Sequence, residues 1–185
     1  WKPVADGILK RMKERGLHFH FVVTDTERQA RPGEVHGRDY FFYSTAEFER
    51  MIKENEMIEH ACVYGQHKGV PRTQVRQALD SGQDVVMRLD VQGADTVKSL
   101  TPAAITIFLT CESEAELVNR LRERRTESEE ELRRRLANVR QEMETIPCFD
   151  YVVLNRHSSL DDAVDDVVAI MRAEHCRSVP RKVRL

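Results

Sequence analysis

The sequence predicts an α/β fold in which helices flank a parallel sheet. Three short runs, DVVMRLD at 84–90, ITIFLT at 105–110 and YVVLN at 151–155, are nearly continuous in apolar residues. Such runs are typical of parallel strands that are buried on both faces. Helical patterns separate the runs, and strands that alternate with helices indicate a parallel α/β architecture.

The start of the chain predicts a helix, a strand and a turning loop. WKPVADGILKRMKERG carries an apolar stripe at helical spacing, and Gly16 would end this helix. LHFHFVVT is rich in β-forming residues and predicts a strand. Residues 25–39 are polar and contain Pro32, Gly33 and Gly37, so they predict a loop that turns sharply.

Shorter elements fill the chain up to the first apolar run. Residues 40–42 predict a short strand, and STAEFERMIKENEM predicts a helix with Ser44 or Thr45 as its cap and Glu47 placed for a capping box. MIEHACVYG predicts a strand that runs into a turn over 65–69. Pro71 would start the next helix, which ends near Gly82.

The second half predicts four helices among the apolar runs. VQGADTVKSL predicts a short crossover helix. SEAELVNRLRERR and SEEELRRRLANVRQEMETI predict two charged helices with a break near Thr126. The last helix is expected from about Leu160 to Cys176, and the basic tail at 177–185 is expected to be loose.

Composition excludes several classes of function. The chain has 185 residues, a net charge of −2, 41% apolar residues and 32% charged residues, which is ordinary for a soluble globular protein. The balanced charge gives no field that would draw the protein onto nucleic acid or a membrane. No apolar run approaches the length of a membrane span. Anion binding must therefore come from arginines placed locally.

The cysteines indicate a reducing, intracellular compartment, and the sequence leaves open whether this is the cytoplasm or an organelle (plastid or mitochondrion). The four cysteines are far apart and have no metal-ligand spacing, so we expect isolated reduced thiols. The histidines are scattered as well, and the sequence predicts no metal held directly by a cage of protein ligands.

The stretch ERQARPGEVHGRDYFF at 27–42 combines arginines, a carboxylate and a tyrosine. Arginine is the planar donor suited to phosphate, and the Tyr40 hydroxyl can donate to the same oxygens as Arg28 and Arg31. Glu34 is suited to accept from the N–H edge of a guanine ring, which adenine lacks. The alternative is a salt-bridged surface loop, and the residues by themselves do not decide between the two.

Two carboxylates lie at other points suited to ligands. Glu59 falls in a predicted strand, and Asp90 ends an apolar run, where open α/β sheets bind their ligands. A carboxylate in that place commonly orients magnesium or a substrate hydroxyl. The alternative for Asp90 is the N-cap of the following helix, and one residue can serve both purposes.

An arginine-dense segment has two interpretations. Most such runs are solvated helices with pairs at i,i+4, and glutamates interleave here. The functional interpretation is a mobile lid whose few inward arginines clamp phosphates. The arginines are Arg120, Arg122, Arg124, Arg125, Arg133, Arg134, Arg135 and Arg140.

These motifs together resemble the guanylate kinase family. TDTERQARPGEVHGRDYFF is similar to that family's GMP-binding signature, roughly S-A-T-T-R-x-x-R-x-G-E-x-x-G-x-D-Y-x-F. The similarity continues, in the family's order, through MIEHACVYG, LDVQG, RLRERRTESEEELRRRL and FDYVVLN. It covers about residues 7 to 175, and five ordered motifs are far more specific than one.

The resemblance implies roles for the nucleotide-binding residues. Arg28, Arg31 and Tyr40 would hold the GMP phosphate. Glu34 would read the guanine, helped by Thr24 or Asp90.

Further roles concern the ribose, the metal and ATP. Glu59 resembles a residue near the base and ribose, and Asp90 a carboxylate of the nucleotide and magnesium site. Arg124 and Arg135 resemble lid arginines that touch the transferring phosphates, and Asn155 would border the adenine of ATP. The implied substrates are GMP and ATP, with Mg²⁺ accompanying ATP.

The resemblance also implies an organisation of the chain. We expect one domain with a P-loop-kinase-like sheet, whose core comprises 1–24, 76–117 and 141–176. Residues 25–75 would form an inserted mixed-β lobe that binds GMP, and 118–140 a helical lid. The tail would be 177–185.

Two departures from the family pattern concern the GMP site. T-D-T-E-R stands where the signature has S-A-T-T-R, so Asp25 and Glu27 bring acids beside the phosphate arginines. They would either point to solvent or weaken GMP binding. H-K-G-V stands at 67–70, where the family often has Y-Y-G-T/S, which removes a tyrosine and a hydroxyl, although Lys68 can reach a phosphate.

A third departure is the phosphate loop. The sequence contains no G-x-x-x-x-G-K-[ST], which the family places before the first helix, so the 185 residues alone are predicted not to transfer phosphate from ATP. One interpretation is a guanylate kinase whose complete chain includes a further N-terminal piece. The other is a catalytically dead guanylate-kinase-like domain that binds a protein partner or serves as a structural module.

Overall fold

A computed structural model of the chain describes residues 2–63, 65–123, 129–156 and 159–183. Helices and short strands alternate, so the predicted α/β class is confirmed. The described residues form two compact units, one drawn from 2–17 and 103–182 and the other from 18–102 together with Val183.

The elements are numbered in chain order. The helices are α1 (Lys2–Glu14), α2 (Thr45–Lys53), α3 (Arg72–Asp80), α4 (Val91–Leu100), α5 (Glu114–Glu123), α6 (Glu129–Glu144) and α7 (Leu160–His175), with a 3₁₀ turn at Ile146–Cys148. The strands are β1 (Phe19–Phe21), β2 (Asp25–Thr26), β3 (Phe41–Phe42), β4 (Met57–Val63), β5 (Gln66–Pro71), β6 (Asp84–Val86), β7 (Ile107–Thr110) and β8 (Tyr151–Leu154).

Two sheets build the unit of residues 18–102. β1 and β6 pair in parallel, with Phe19 opposite Asp84. β3, β2, β5 and β4 form a mixed sheet in that order. Phe48 and Met51 from α2 pack with Met57 from β4 into a buried apolar cluster. Ser44 caps α2, because its side chain accepts from the Glu47 N–H.

Two of the predicted boundaries in this sheet are wrong. The segment predicted as a turn over 65–69 is mostly β5, which pairs antiparallel with β4 and places Cys62 opposite His67. Only Gly65, at φ +75°, has the left-handed backbone of a tight turn. β2 lies within the predicted loop and pairs with both β3 and β5, although both of its residues are polar.

The other unit packs α1 with α7 and pairs β7 with β8. Arg15 of α1 donates to Asp161 of α7 at 2.9 Å and also to Asp165. β7 and β8 are parallel, with Ile107 opposite Tyr151. Val152 is 45% exposed, so the expectation that this apolar run is buried on both faces is wrong. Burial alternates along β8 instead, because one of its faces is open to solvent.

The chain's tail is held to the unit at Arg181. Its guanidinium donates to both oxygens of Glu174, at 3.0 and 3.2 Å, and Glu174 is itself buried. The Tyr151 hydroxyl donates to the same carboxylate at 2.7 Å. A buried carboxylate needs such partners, so the basic tail is anchored through Arg181 and is not loose there.

Candidate functional site

The loop between β2 and β3 is organised around the Glu34 carboxylate. Arg28 donates to it twice, with Nη1–Oε2 at 2.6 Å and Nη2–Oε1 at 2.7 Å. The Arg31 backbone N–H adds a third bond at 2.9 Å. The Arg28 and Glu34 side chains are only 10% and 15% exposed. Glu34 therefore fixes the direction of the Arg28 guanidinium and raises its pKa.

A tight turn delivers Glu34 to this position. The Glu34 N–H donates to the Arg31 carbonyl at 3.0 Å, which closes a four-residue turn through Pro32 and Gly33. Gly33 has φ +86°, as the third residue of a type II turn requires, and proline is favoured in the second place. The sequence R-P-G-E thus dictates the geometry that places the carboxylate under Arg28.

Tyr40 lies at the centre of a group of cations. It is 6% exposed, and the Arg28 Cζ lies 5.1 Å from its ring centroid. Arg88 Cζ and Lys68 Nζ lie at 5.7 and 5.9 Å from the same centroid. The predicted association of Arg28 with Tyr40 is therefore present, whereas the approach of Arg88 was missed because it sits inside an apolar run.

The three hydrogen bonds bear on the role of Glu34. The resemblance assigns this carboxylate to the guanine, yet both of its oxygens accept from Arg28 and one also accepts from Arg31. Its observed contacts orient Arg28, which the resemblance assigns to the GMP phosphate. The base-reading role of Glu34 stays a prediction.

Glu59 and Asp90 meet at the start of α4. Asp90 is the N-cap of α4, and its Oδ1 accepts from the Gly93 N–H at 2.8 Å, so the predicted capping role is confirmed. Glu59, on β4, is 5% exposed. Burial, followed by the nearby Asp90 charge, raises the pKa of Glu59 to about 7.

Gly93 explains why the two segments approach so closely. A Cβ added at Gly93 would lie 2.9 Å from Glu59 Oε2 and 3.1 Å from Cδ. No larger side chain fits there without a shift of Glu59. The glycine of LDVQG therefore carries structural information that the sequence alone did not show.

Asp25 is a buried acid of a different kind. It is 1% exposed, and neither of its carboxylate oxygens has a hydrogen-bond partner. Burial, followed by the nearby Glu56 charge, raises its pKa to about 7. It lies opposite Gly69 in the β2–β5 ladder.

Glu27 is also turned inward. It accepts from the His67 backbone N–H at 2.9 Å, and His67 Nδ1 lies 2.9 Å from the same oxygen. The backbone bond is the leading cause that lowers the pKa of Glu27. Of the two alternatives for these acids, the one in which they point to solvent is wrong for both Asp25 and Glu27.

The predicted ATP-side residues lie in the other unit. Asn155 follows β8 and is 5% exposed. Its N–H donates to the Thr110 carbonyl at 2.7 Å, and its own carbonyl accepts from Arg120 at 2.9 Å. Arg135 lies in α6, but its side chain falls outside the described part of the chain, as does the whole of Arg124.

Two searches of the described residues give negative findings. Across 2–63, 65–123, 129–156 and 159–183, His, Cys, Asp and Glu side chains do not converge in groups of three or more that could hold a metal ion. Within those same ranges, helices that combine the length and apolarity needed to cross a bilayer are absent.

Comparison with known proteins identifies the fold. A crystal structure of guanylate kinase from Anaplasma phagocytophilum superposes with a TM-score of 0.75 and 29% identity, over 95% of this chain and 82% of that one. The family model described as guanylate kinase matches residues 5–174. The chain belongs to the guanylate kinase family, and the resemblance seen in the sequence is confirmed.

Curated relatives agree with this assignment. "Guanylate kinase 2, chloroplastic/mitochondrial" of Oryza sativa subsp. japonica is 44% identical over 97% of this chain, which spans 64% of that relative's length. The guanylate kinase of Clostridium tetani is 40% identical over 88% of this chain and 77% of its own length. That of Caldanaerobacter subterraneus subsp. tengcongensis is 41% identical over 92% and 82%.

Proposed function

We propose that the full-length protein is a guanylate kinase, which transfers the terminal phosphoryl group of ATP to GMP and releases GDP and ADP. Family membership supports the reaction class. The assignment of GMP as the substrate depends on the Arg28–Glu34 pair. A guanidinium held by two short bonds in a mostly buried position is preorganised for a phosphate oxygen.

The phosphate end of GMP is assigned to Arg28, Arg31 and Tyr40. Arg28 has its direction set by Glu34, and Tyr40 holds the guanidinium against its ring. The 31–34 turn places the Arg31 backbone on the same carboxylate. Transfer then depends on position and on charge stabilisation, without a covalent intermediate.

We assign the base to Glu59 instead of Glu34. A carboxylate accepts from the N1–H and 2-amino group of guanine, whereas adenine leaves it unpaired. Glu34 already receives three hydrogen bonds from its own loop. Glu59 is buried, and guanine donors would favour its charged form and offset the effect of burial on its pKa.

ATP and its metal are assigned by weaker observations. Asp90 offers a carboxylate at the carboxyl end of the β6 segment, and Mg²⁺ in kinases is typically held by one or two carboxylates together with substrate phosphates. This donor chemistry fits Mg²⁺, which would neutralise charge on the transferring phosphates when bound. Arg124 and Arg135 remain assigned to those phosphates, and Asn155 to the adenine.

We also propose a reducing compartment within the cell. All four cysteines are free thiols, and Cys62, Cys148 and Cys176 are exposed. The rice relative is named as chloroplastic/mitochondrial, and this name supports an organelle as one location.

The test compares nucleotides on the full-length protein and two variants. Wild type should form GDP in the presence of ATP, and GMP should raise its melting temperature more than AMP does. Glu59→Gln should reduce the preference for GMP over IMP, which lacks the 2-amino group, by about tenfold or more. Glu34→Gln should weaken binding of both nucleotides and leave their ratio unchanged.

Each outcome has a clear meaning. No GDP formation and no stabilisation by GMP would overturn the proposed function. Loss of the GMP preference in Glu34→Gln, with the preference intact in Glu59→Gln, would return base reading to Glu34.

A further inference from the structure

We infer that Gln74 is a positioning residue for the proposed GMP site, because its side-chain amide holds Val23, the residue at which the chain crosses from one sheet to the next. The inference rests on the proposed function and deepens it, since it names what fixes the GMP-binding segment in place. Neither residue belongs to the five motifs that carry the family resemblance. Gln74 would act through the backbone and not by contact with a nucleotide.

The chain leaves one sheet and enters another between β1 and β2. β1 pairs with β6, and this pairing continues through the Val22 N–H, which donates to the Val86 carbonyl at 3.0 Å. The next sheet begins at Thr24, whose carbonyl accepts from the Phe41 N–H at 3.0 Å. Val23 therefore lies between two hydrogen-bonded ladders.

The Gln74 amide supplies the two hydrogen bonds that a neighbouring strand would give to Val23. Its Oε1 accepts from the Val23 N–H and its Nε2 donates to the Val23 carbonyl, both at 3.3 Å. Backbone groups that are shielded from water need such partners. Glutamine presents a donor and an acceptor in one plane, as a peptide group does. Because each atom faces its complement, the orientation of the amide is fixed.

Gln74 is carried by a firmly packed helix. It lies in the first turn of α3, where Val75 is only 1% exposed and Ala78 is fully buried. α3 contacts both β5 and β6. A side chain on this helix can therefore tie the crossing to both sheets.

The crossing sets the direction in which β2 enters the proposed GMP site. Thr24, the next residue, is 6% exposed, and Arg28 follows β2. Asp90 follows β6, on the other side of the crossing. A shift at Val23 would therefore move Arg28 relative to Asp90. Misplacement of reacting groups by about 1 Å can lower a rate about 100-fold, so a brace at this point matters for transfer.

The experiment measures KM and kcat for GMP and for ATP on the full-length protein, together with its melting temperature. Gln74→Met keeps the length of the side chain and removes both hydrogen bonds. Gln77→Met, on the exposed face of α3, is the matched control. The assays are run well below the melting temperature, where a loss of stability alone lowers the amount of active enzyme and leaves KM unchanged.

We expect Gln74→Met to raise the KM for GMP about tenfold, because two backbone groups lose their partners and the crossing relaxes. The KM for ATP should change little, since Asn155, which is assigned to the adenine, belongs to the other unit. Gln77→Met should behave as wild type. A lower melting temperature with an unchanged KM for GMP would overturn the inference and leave Gln74 with a purely structural role.

A second variant tests the chemistry of the amide. Gln74→Glu keeps an acceptor for the Val23 N–H but sets a carboxylate against the Val23 carbonyl. Protonation of the new carboxyl group restores a donor, so the variant then matches the amide. The ratio of the KM for GMP in the variant to that in wild type should therefore approach one as the pH is lowered from about 8 to about 5.5.

The ratio isolates the new group from the native acids. Asp25 and Glu59, each with a pKa of about 7, titrate in both proteins and cancel. A ratio that does not change with pH would overturn the inference, and this comparison decides the matter if Gln74→Met does not fold.

Failure of the inference and failure of the proposed function are distinguishable. No GDP formation by wild type would overturn the proposed function, and the inference with it. GDP formation by wild type, with unchanged kinetics in Gln74→Met, would overturn the inference alone.

Discussion

The loop between β2 and β3 and the strand β2 that precedes it each hold a buried acid, but they surround it differently. Glu34 is surrounded by donors, with Arg28 on both oxygens and the Arg31 N–H on one. Asp25, three residues before Arg28, is more deeply buried and has no hydrogen-bond partner for either oxygen. The paired acid organises its loop, whereas burial raises the pKa of the unpaired acid and so favours its neutral form.

The largest expected effect comes from breaking the paired acid. Glu34→Gln leaves the mostly buried Arg28 without its counter-charge, and removal of one partner of such a pair typically costs about 3–5 kcal/mol. Because Arg28 is 10% exposed, we expect Glu34→Gln to lower the free energy of unfolding by about 3 kcal/mol. Urea denaturation measures the loss. Glu49→Gln, on the exposed face of α2, is the control.

A loss below about 0.5 kcal/mol, the range of ordinary surface changes, would show that the Arg28–Glu34 pair is effectively solvated. The contrast between the two acids would then disappear.

The second prediction is a gain in stability, opposite in sign to the loss expected from Glu34→Gln. Asp25→Ala removes the unpaired acid and installs the alanine that the family signature has at this position. The pKa of Asp25 rises from 3.8 to about 7 on folding, so the folded state binds this proton more tightly than the unfolded state. The contribution of this proton to the free energy of unfolding is fully present below about pH 4 and is lost as the pH rises to about 7.

We therefore expect Asp25→Ala to be more stable than wild type at pH 8, by on the order of 2–4 kcal/mol before the small cavity is subtracted. The difference should shrink towards pH 4. Denaturation at a series of pH values measures it, with the exposed Asp95→Ala as the control. Glu59 titrates in the same range in both proteins and cancels in the comparison. A pH-independent difference would contradict the assignment.

The smallest expected effect tests what raises the pKa of Asp25. Burial is the leading cause and Glu56 the second, so Glu56→Gln should lower the pKa of Asp25 in the folded protein only slightly. The pH midpoint of the stability loss should therefore move down only slightly. A shift that abolishes the pH dependence would mean that the Glu56 charge, and not burial, is the main cause, and a midpoint that moves up would mean that the Glu56 charge does not raise the pKa of Asp25.

Sequence patterns predicted the regular elements well. VQGADTVKSL was predicted as a helix and forms α4 over those same residues, with Asp90 as its cap, because capping and helical periodicity are local properties. β5 was missed, since Gly65 and Gly69 together resemble turn signals. Gly69 is needed for a different reason, as a Cβ there would lie 2.9 Å from the Met57 sulfur.

The site was predictable in its members but not in its pairings. Arg28, Tyr40, Glu59 and Asp90 can be picked out by residue type and position. The attachment of Glu34 to Arg28, six positions earlier in the chain, depends on the four-residue turn at 31–34. The approach of Arg88 to Tyr40 depends on tertiary structure. The sequence left open whether Asp25 points to solvent, and its burial without a partner could not be predicted because acids are almost never fully buried unless paired.

The proline–glycine turn at 31–34 has a consequence for the speed of binding. Pro32 and Gly33 fix the backbone that holds Glu34, and Glu34 holds Arg28, so the direction of the guanidinium is set before the proposed ligand arrives. Little loop ordering then remains to be done on encounter. The association rate of a phosphate should be set by diffusion and by the pull of the nearby cations, and should slow as salt screens that pull.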